Sequence, residues 1–402
     1  MDAMFILPSE ATVTFLKKHW NDDSTTLLLQ SARYPDVDMV WIAQQLKGRQ
    51  KAKEKIPSWY TNEEIVYPPA ISMEQCSSEM TASYKAELCS GGSLLDLTGG
   101  LGVDAAFMSQ RFVSAMYVER NADLAAIASY NFKQLRLSNI SVEVEDSAKV
   151  LYSPQEVDWL YIDPARRKEN RQKAVLLSDC EPNILEHQEQ LLIKAKNVLV
   201  KLSPLFDITE LSRLFPNAVA IYIVSVDNEC KEILLHLGRG KCICPTAMCV
   251  NIVKAGGRQQ FSFKLLDEGQ VNANFTSTPL TYLYEPNASI QKSGGIKSFA
   301  AEYGLQMLHP NTRLYTSANR VDDFQGRSFT VEAVFGFSKQ ELKQNLASVK
   351  KANITVRNFP LTVAELRKKL GLQDGGDVYL FATTLLSGRR ILVKCRKDIE
   401  CR

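Results

Sequence analysis

The chain has 402 residues, of which 45% are hydrophobic and 23% charged, with a formal net charge of +3. Those values exclude a fibrous or disordered protein and leave room for two or three domains, with no apolar run long enough to span a membrane. Nine cysteines, an odd number, and four scattered histidines fit reduced thiols and offer little raw material for zinc, so no metal is expected.

The start, Met1-Asp2-Ala3-Met4-Phe5, lacks the basic head and apolar core of a secretory signal, so a cytoplasmic location is expected. Residues 1–90 read as mainly helical. Apolar positions between Val40 and Ile56 predict one helix, which also carries a basic cluster, Lys47, Arg49, Lys51, Lys53 and Lys55. The turn Tyr67-Pro68-Pro69 follows, then a second helix over Glu74 to Leu88 with Ser72 as its N-cap.

From Ser93 the pattern changes to short apolar runs separated by helical stretches. The runs are Leu94 to Leu97, Ser114 to Val118, Ile140 to Val144, Val157 to Ile162, Val198 to Leu202 and Val219 to Val226. Strands spaced by helices predict an α/β fold with a doubly wound, mostly parallel sheet. Asp179, Glu181 and Asn183 read as the start of a helix, and Met248 to Val253 as the antiparallel edge strand. Cys242, Cys244 and Cys249 have gaps that match no usual zinc spacing.

A different order begins near Tyr282: a helix at Ile296 to Met307, a strand at Phe329 to Phe337 and a helix at Ser338 to Ser348. Strand Asn353 to Asn358, helix Val363 to Leu370 and strands Val378 to Leu385 and Arg390 to Lys394 follow. This predicts a small α+β region. Its end is basic, with Arg389, Arg390, Lys394, Arg396, Lys397 and Arg402.

The segment Leu94-Leu95-Asp96-Leu97-Thr98-Gly99-Gly100-Leu101-Gly102-Val103-Asp104 reads as strand, glycine-rich turn and helix. Glycine lets the backbone take φ > 0 and approach a ligand closely. Gly100 to Ala105 satisfies the dinucleotide pattern literally. Asp96 argues against a pyrophosphate, which a carboxylate repels, and for a cationic ligand such as the methionyl part of S-adenosylmethionine. Glu119 ends the second strand where a carboxylate takes ribose hydroxyls. Asp146 follows the third, and Asp163-Pro164-Ala165-Arg166 leaves the fourth at the end where open sheets bind ligands.

At these residues the chain resembles the class I S-adenosylmethionine-dependent methyltransferases. Ser72-Met73-Glu74-Gln75-Cys76-Ser77-Ser78-Glu79, the Asp96 loop, Asp163-Pro164-Ala165-Arg166-Arg167 and the end region resemble, more closely, one bacterial methyltransferase family. That family has a THUMP-like carboxyl-terminal domain preceded by a ferredoxin-like insert. The resemblance implies S-adenosyl-L-methionine as cofactor, with Asp96, Thr98, Gly100 and Gly102 at its methionyl and ribose side. It implies Glu119 and Arg120 at the ribose, and Asp146 and Ser147 at the adenine. It also implies a Rossmann-like doubly wound sheet over 91–278, an N-terminal helical region over 1–90, a ferredoxin-like module over 279–323 and a THUMP-like domain over 324–402. RNA is the substrate the family is thought to take, and RNA modification the expected work.

Asp163, Pro164, Arg166 and Lys201 are the catalytic candidates, and three chemistries stay open. Related enzymes acting on exocyclic amines carry Asp or Asn, two prolines and an aromatic at the fourth-strand end. Here Asp163 and Pro164 fit, Ala165 replaces a proline and Arg166 the aromatic. Methylation of a pyrimidine carbon needs a cysteine nucleophile, and none lies near in sequence, Cys180 being too far along. Ribose 2′-O-methyltransferases resemble one another in a lysine, aspartate, lysine, glutamate set, which Lys85, Asp163, Lys201 and Glu229 match in order. For Lys201 the competing reading is a salt bridge to a nearby acid. The cluster Arg166, Arg167, Lys168, Arg171 and Lys173 follows the motif directly and, with the other two basic clusters, fits a polyanion. The rival functions are methylation of a small molecule or protein, and an RNA-binding protein whose cofactor domain is idle.

Overall fold

The computed structural model describes residues 8–166 and 177–398. The chain forms two compact units. One comprises Met1–Phe206, Leu214–Ala218 and Ile233–Lys241, the other Asp207–Arg213, Val219–Glu232 and Cys242–Arg402. No helix among the described residues is long and apolar enough to cross a membrane.

The first unit opens with helices Glu10–Lys18, Ser24–Leu29 and Met39–Lys55, whose first turns are capped by the side chains of Ser9, Asp23 and Asp38. The basic cluster on the third helix is largely used inside the fold. Arg49 is clamped between the rings of Trp20 and Tyr60, 4.2 Å from each centroid. Lys51 pairs with Glu74 at 2.5 Å. Ile56, Trp59, Ile65 and Tyr67 then join Leu101, Val103, Tyr117 and Phe132 in one buried core. The helical region is thereby packed onto the glycine loop and the sheet behind it.

The helix expected over Glu74 to Leu88 is two helices, Ala70–Gln75 and Glu79–Leu88. Cys76 takes extended backbone and Ser78 caps the second helix by accepting from Thr81 N, which a continuous helix would forbid. Ser78, not Ser72, is therefore the cap.

Strands β1 (Gly91–Asp96), β2 (Phe112–Val118), β3 (Ile140–Glu143), β4 (Val157–Ile162), β5 (Ala165–Arg166), β6 (Cys180–Glu181) and β7 (Ala195–Leu202) follow. Their alternation with helices Val103–Met108 and Ala122–Gln134 produces parallel pairs in the order β3-β2-β1-β4-β7. β5 and β6 form a separate antiparallel ribbon. Asp179 to Asn183 is thus not a helix start: Cys180 and Glu181 are strand, and the next helix is Gln188–Lys194.

Strands β8 (Ala218–Val226) and β9 (Glu229–Gly238) are joined by Asp227 and Asn228, both at positive φ. Residues Ile233 to Gly238 of β9 run antiparallel to β7 within the first unit. In the second unit β10 (Thr246–Ile252) pairs parallel with β8 and antiparallel with β11 (Arg258–Lys264). Met248 to Val253 is therefore a parallel strand, and β11 supplies the antiparallel edge.

The second unit continues with β12 (Tyr282–Pro286), β13 (Gln306–Met307), β14 (Tyr315–Ser317), β15 (Gly326–Phe335), β16 (Asn353–Arg357), β17 (Val378–Thr384) and β18 (Arg390–Lys397). These make one seven-stranded sheet, in the order β13-β14-β12-β15-β18-β17-β16. The helix expected over Ile296 to Met307 stops at Glu302, and Gln306-Met307 pairs as β13. Helices Lys339–Leu346 and Val363–Leu370 both start with capping boxes, from Ser338 and Thr362.

Candidate active site

The carboxyl end of β1 and the turn after it build the first half of the site. Asp96 is buried, and its Oδ1 accepts from Thr98 N at 3.0 Å. Its Oδ2 is buried with no hydrogen-bond partner among the described residues. Burial above all, with Asp104, Asp163 and Glu119 adding, holds this carboxyl well above the usual carboxylate range. Gly102 has φ +84°, and a Cβ there would come within 2.7 Å of the Phe132 ring, so glycine is required. The Tyr117 hydroxyl donates to Gly100 O at 2.5 Å and fixes the loop from below.

Glu119, just past β2, is spoken for on both oxygens. Oε2 accepts from Gly100 N at 2.9 Å and Oε1 from Asn121 N at 2.8 Å. Each oxygen keeps a second acceptor direction for a ligand hydroxyl. Asp146 is exposed and caps the helix Ser147–Leu151, accepting from Ala148 N at 2.8 Å. Arg120 is exposed and pairs with Glu181 at 2.8 Å.

The second half stands at the ends of β4 and β7. Asp163 N donates to Thr98 Oγ1 at 2.6 Å, which ties this turn to the glycine loop. Lys201 Nζ lies 2.5 Å from Asp163 Oδ2. The salt bridge to a neighbouring acid is formed, and the acid is the other catalytic candidate. After Pro164 the chain enters β5, where Arg166 pairs with Cys180 of β6, which is buried. The side chain of Arg166 and residues Arg167 to Lys173 lie outside the described residues.

Below this pair is a buried network that the sequence did not reveal. Lys85 is fully buried, 3.2 Å from Asp104 Oδ1, and donates to Ser77 Oγ at 3.2 Å. Asp104 Oδ2 accepts from Ser77 Oγ and from the Tyr161 hydroxyl, each at 2.7 Å. Burial pushes Asp104 up, but Lys85 and Lys201, with those two hydrogen bonds, bring its carboxyl below the ordinary value. Of the four residues matched to the 2′-O set, Asp163 and Lys201 form one pair. Lys85 neutralises Asp104, and Glu229 pairs with Lys231 in the second unit at 2.7 Å.

Cys76 and Lys55 also come near this region; in the sequence Cys76 stood only within the Ser72–Glu79 motif and Lys55 only within the basic cluster, and neither was given a role at the site. The helix break that brings them in leaves only a short polar run, Gln75-Cys76-Ser77-Ser78, as its signal. Among the described residues no group of three His, Cys, Asp or Glu side chains could hold a metal ion.

Loop, buried carboxylate and strand-end acids stand together at the carboxyl ends of a Rossmann-like sheet, the class of fold that methyltransferases use, with small domains appended. Residues 282–324 match a family described as a ferredoxin-like domain, and 326–397 one described as THUMP domain-like. Over most of its length the chain is similar to a crystal structure named as a "putative methyltransferase" from Porphyromonas gingivalis W83. The identity is 29% and the TM-score 0.87, covering 98% of this chain and 100% of that one. Weaker likenesses include an rRNA methylase from Streptococcus thermophilus, at 14% identity and TM-score 0.29, covering 40% of this chain and 93% of that one. TrmK of M. capricolum, solved with S-adenosyl-homocysteine, aligns at 13% identity and TM-score 0.32, covering 40% and 68%. No curated protein matches the chain in sequence.

Proposed function

We propose that this methyltransferase modifies RNA, with the Asp96 loop holding the cofactor and the Asp163–Lys201 pair facing the methyl acceptor. The observation that carries the cofactor half is the orphaned, buried Oδ2 of Asp96 beside a glycine loop. A buried acceptor without a partner costs stability unless a ligand donor satisfies it, and the ammonium of the methionyl group is such a donor. The residues therefore fit the group: Asp96 for the methionyl ammonium, Gly100 and Gly102 for close approach, and Glu119 for the ribose hydroxyls. Bound there, the cofactor supplies an electrophilic methyl on a sulfonium.

The chain's own contribution is orientation and charge. Lys201 holds Asp163 at the rim, where its carboxylate accepts a hydrogen bond from the acceptor and aligns it for attack. Of the open chemistries, this favours an exocyclic amine, because the pair supplies one carboxylate acceptor while two members of the 2′-O set are engaged elsewhere. RNA as substrate is supported by the THUMP-like domain and by exposed cations on it, Lys350, Lys351, Lys368, Lys369, Arg389 and Arg390.

The deciding experiment incubates the protein with methyl-labelled S-adenosylmethionine and total cellular RNA, protein and small-molecule fractions, followed by nucleoside mass spectrometry. Label in a methylated base of RNA, lost in Asp163→Ala, is the expected result. Label only in the protein or small-molecule fraction would overturn the RNA reading. Glu119→Ala should weaken cofactor binding about 5–150-fold, the equivalent of ~1–3 kcal/mol.

A further inference from the structure

The glycine loop is gripped from two strands. From the β2 side, Val118 O accepts from Gly99 N at 2.8 Å, while Glu119 and the Tyr117 hydroxyl hold Gly100 at its N and its O. From the β4 side the grip has three points. Tyr161 O accepts from Leu97 N at 3.0 Å, and Asp163 N donates to Thr98 Oγ1 at 2.6 Å. The Tyr161 hydroxyl donates to Asp104 Oδ2 at 2.7 Å. Tyr161, opposite Asp96 in the β1–β4 pairing, therefore holds the loop twice. Its main chain holds it where β1 ends, and its side chain holds it where the helix Val103–Met108 begins.

The partner of that hydroxyl is itself fixed. Asp104 lies in the first turn of the helix and also accepts from Ser77 Oγ at 2.7 Å. Behind it the fully buried Lys85 places its ammonium 3.2 Å from Oδ1 and donates to Ser77. Tyr161 is 1% exposed, so its bond to Asp104 forms away from solvent. A buried ion pair adds little net stability over apolar packing of the same volume, whereas its directional hydrogen bonds select one arrangement. Stability alone does not account for this network. Its position does: Tyr161 stands two residues before Asp163, whose carboxylate Lys201 holds from the next strand. The hydroxyl bond thus ties the cofactor-side loop to the stretch of β4 that carries the acceptor-side acid.

We propose that Tyr161 is a positioning residue for methyl transfer, its hydroxyl held by Asp104 so that the glycine loop and the Asp163 carboxylate keep one separation. This role rests on the methyltransferase reading. A displacement of about 1 Å between reacting groups can slow transfer on the order of 100-fold. The second buried tyrosine of the loop has a different task. The Tyr117 ring packs against Gly99, where a Cβ would come within 2.1 Å of it, and its hydroxyl shapes Gly100 for the ligand. Tyr117 sets the shape of the loop, and Tyr161 its distance from Asp163.

The test removes one hydroxyl from each tyrosine in the full chain and reads the bound cofactor without turnover. The probe is S-adenosylmethionine carrying carbon-13 in its transferable methyl, observed by NMR. Calorimetry of S-adenosylhomocysteine supplies the affinity. Tyr161→Phe should bind S-adenosylhomocysteine within about twofold of wild type yet shift the methyl signal, because the charged pair at Asp163 then stands differently about it. Tyr117→Phe should instead weaken binding about fivefold. As a second variant, Asp104→Glu keeps the charge and moves the acceptor by one methylene; it should shift the signal likewise. Single-turnover transfer to total RNA from cells lacking the protein, per folded molecule, should fall about 10–100-fold in Tyr161→Phe. A wild-type methyl signal in either folded variant, or an affinity loss in Tyr161→Phe equal to that of Tyr117→Phe, overturns the positioning role. So does a variant that melts earlier but keeps the wild-type signal and rate, since the bond is then structural only. Failure of the wild type to bind S-adenosylmethionine or S-adenosylhomocysteine sinks the methyltransferase reading instead.

Discussion

The ammonium of Lys201 stands 2.5 Å from Oδ2 of Asp163, so the neighbouring parallel strands β7 and β4 each deliver one charge to a single pair at their carboxyl ends. The lysine side chain is 13% exposed and the carboxylate 36%. Solvent reaches the acid, so the pair contributes little to folding; its effect is to fix one carboxylate oxygen, Oδ2.

Lys201→Ala should therefore lower methyl transfer about 10–100-fold by freeing Asp163, while cofactor affinity changes by no more than about twofold. Asp163→Ala should reduce turnover further, to background. Single-turnover methylation combined with calorimetry of S-adenosylhomocysteine measures both quantities. Equal losses in binding and turnover would place the pair against the cofactor instead of the acceptor.

Asp96 makes a pH prediction. Its carboxyl is raised in the folded chain above an ordinary value of 3.8. Between that value and the raised one the folded state binds the extra proton, so stability of the ligand-free protein falls as pH rises through that window. A cationic ligand favours the ionised form. Cofactor binding should thus release a proton and tighten as pH rises across the same window. Calorimetry in buffers of different ionisation enthalpy reads the proton directly. Asp96→Asn should abolish the release, stabilise the ligand-free protein at neutral pH and weaken binding about 10–100-fold. Binding with no linked proton in the wild type would remove Asp96 from the methionyl site.

The sheet and the four acids were legible because strand ends in an open α/β sheet are marked locally. An apolar run is followed by Asp96, Glu119 or Asp163, and periodicity finds the run. What stayed hidden depends on tertiary partners. β9 was missed because Glu229-Cys230-Lys231-Glu232 begins polar, and only Ile233, Leu234, Leu235 and Leu237 of its later half are apolar and fully buried. Lys85 looked like a substrate lysine by order along the chain, yet its partner Asp104 is fixed by the turn after β1, 19 residues on. Arg49 counted as one of five free cations, although Trp20 and Tyr60 enclose it. Cys76 and Lys55 needed the break between two short helices, and a single capping serine decides that break.

Glu285 should be the most sensitive charge in the second unit. It is 1% exposed, on β12, and binds two arginines. Arg327 of β15 donates from Nε at 2.9 Å, and Arg357 of β16 from a terminal nitrogen at 2.7 Å. One carboxylate thus joins the ferredoxin-like segment to two strands of the THUMP-like one. Glu285→Ala leaves two partly exposed guanidinium groups around a buried gap. It should cost about 2–4 kcal/mol, at or below the usual range for breaking a buried pair because solvent screens the arginines. Chemical denaturation followed by fluorescence would show it. A change below about 0.5 kcal/mol, the size of an ordinary surface substitution, would mean that the arginines find other partners.

The carboxyl-terminal modules are expected to hold RNA, and their removal tests packing and binding together. From the sequence, cutting near Tyr282 leaves a complete sheet. Every strand of that sheet, β11 included, does precede residue 265, but β10 and β11 belong to the same compact unit as the modules. Phe261 of β11 packs edge-on against Phe299, with ring centroids 5.0 Å apart, and the ring of Phe263 fills the space where a side chain on Gly295 would stand. Polar links cross the same boundary: Gln259 Oε1 accepts from Asn287 Nδ2 at 3.1 Å, and Glu268 accepts from Lys297 N and Ser298 N. A chain ending at residue 281 should therefore expose Phe261 and Phe263 and aggregate, so truncation cannot read RNA binding. Charge reversal can. Lys394 and Arg396 of β18 already pair with Glu332, at 3.3 and 2.5 Å, and changing them would disturb the sheet. Arg389 and Arg390 are exposed at the β17–β18 turn, beside the exposed Leu386, and among the described residues no ion pair holds them. Arg389→Glu with Arg390→Glu should leave melting within about 0.5 kcal/mol of wild type. It should weaken binding of total cellular RNA and flatten the dependence of log K on log salt by about two phosphate contacts. Gel shift at several salt concentrations measures both. Unchanged affinity and slope would remove this turn from the RNA contact, while the methyl-transfer site at Asp163 and Lys201 would stand.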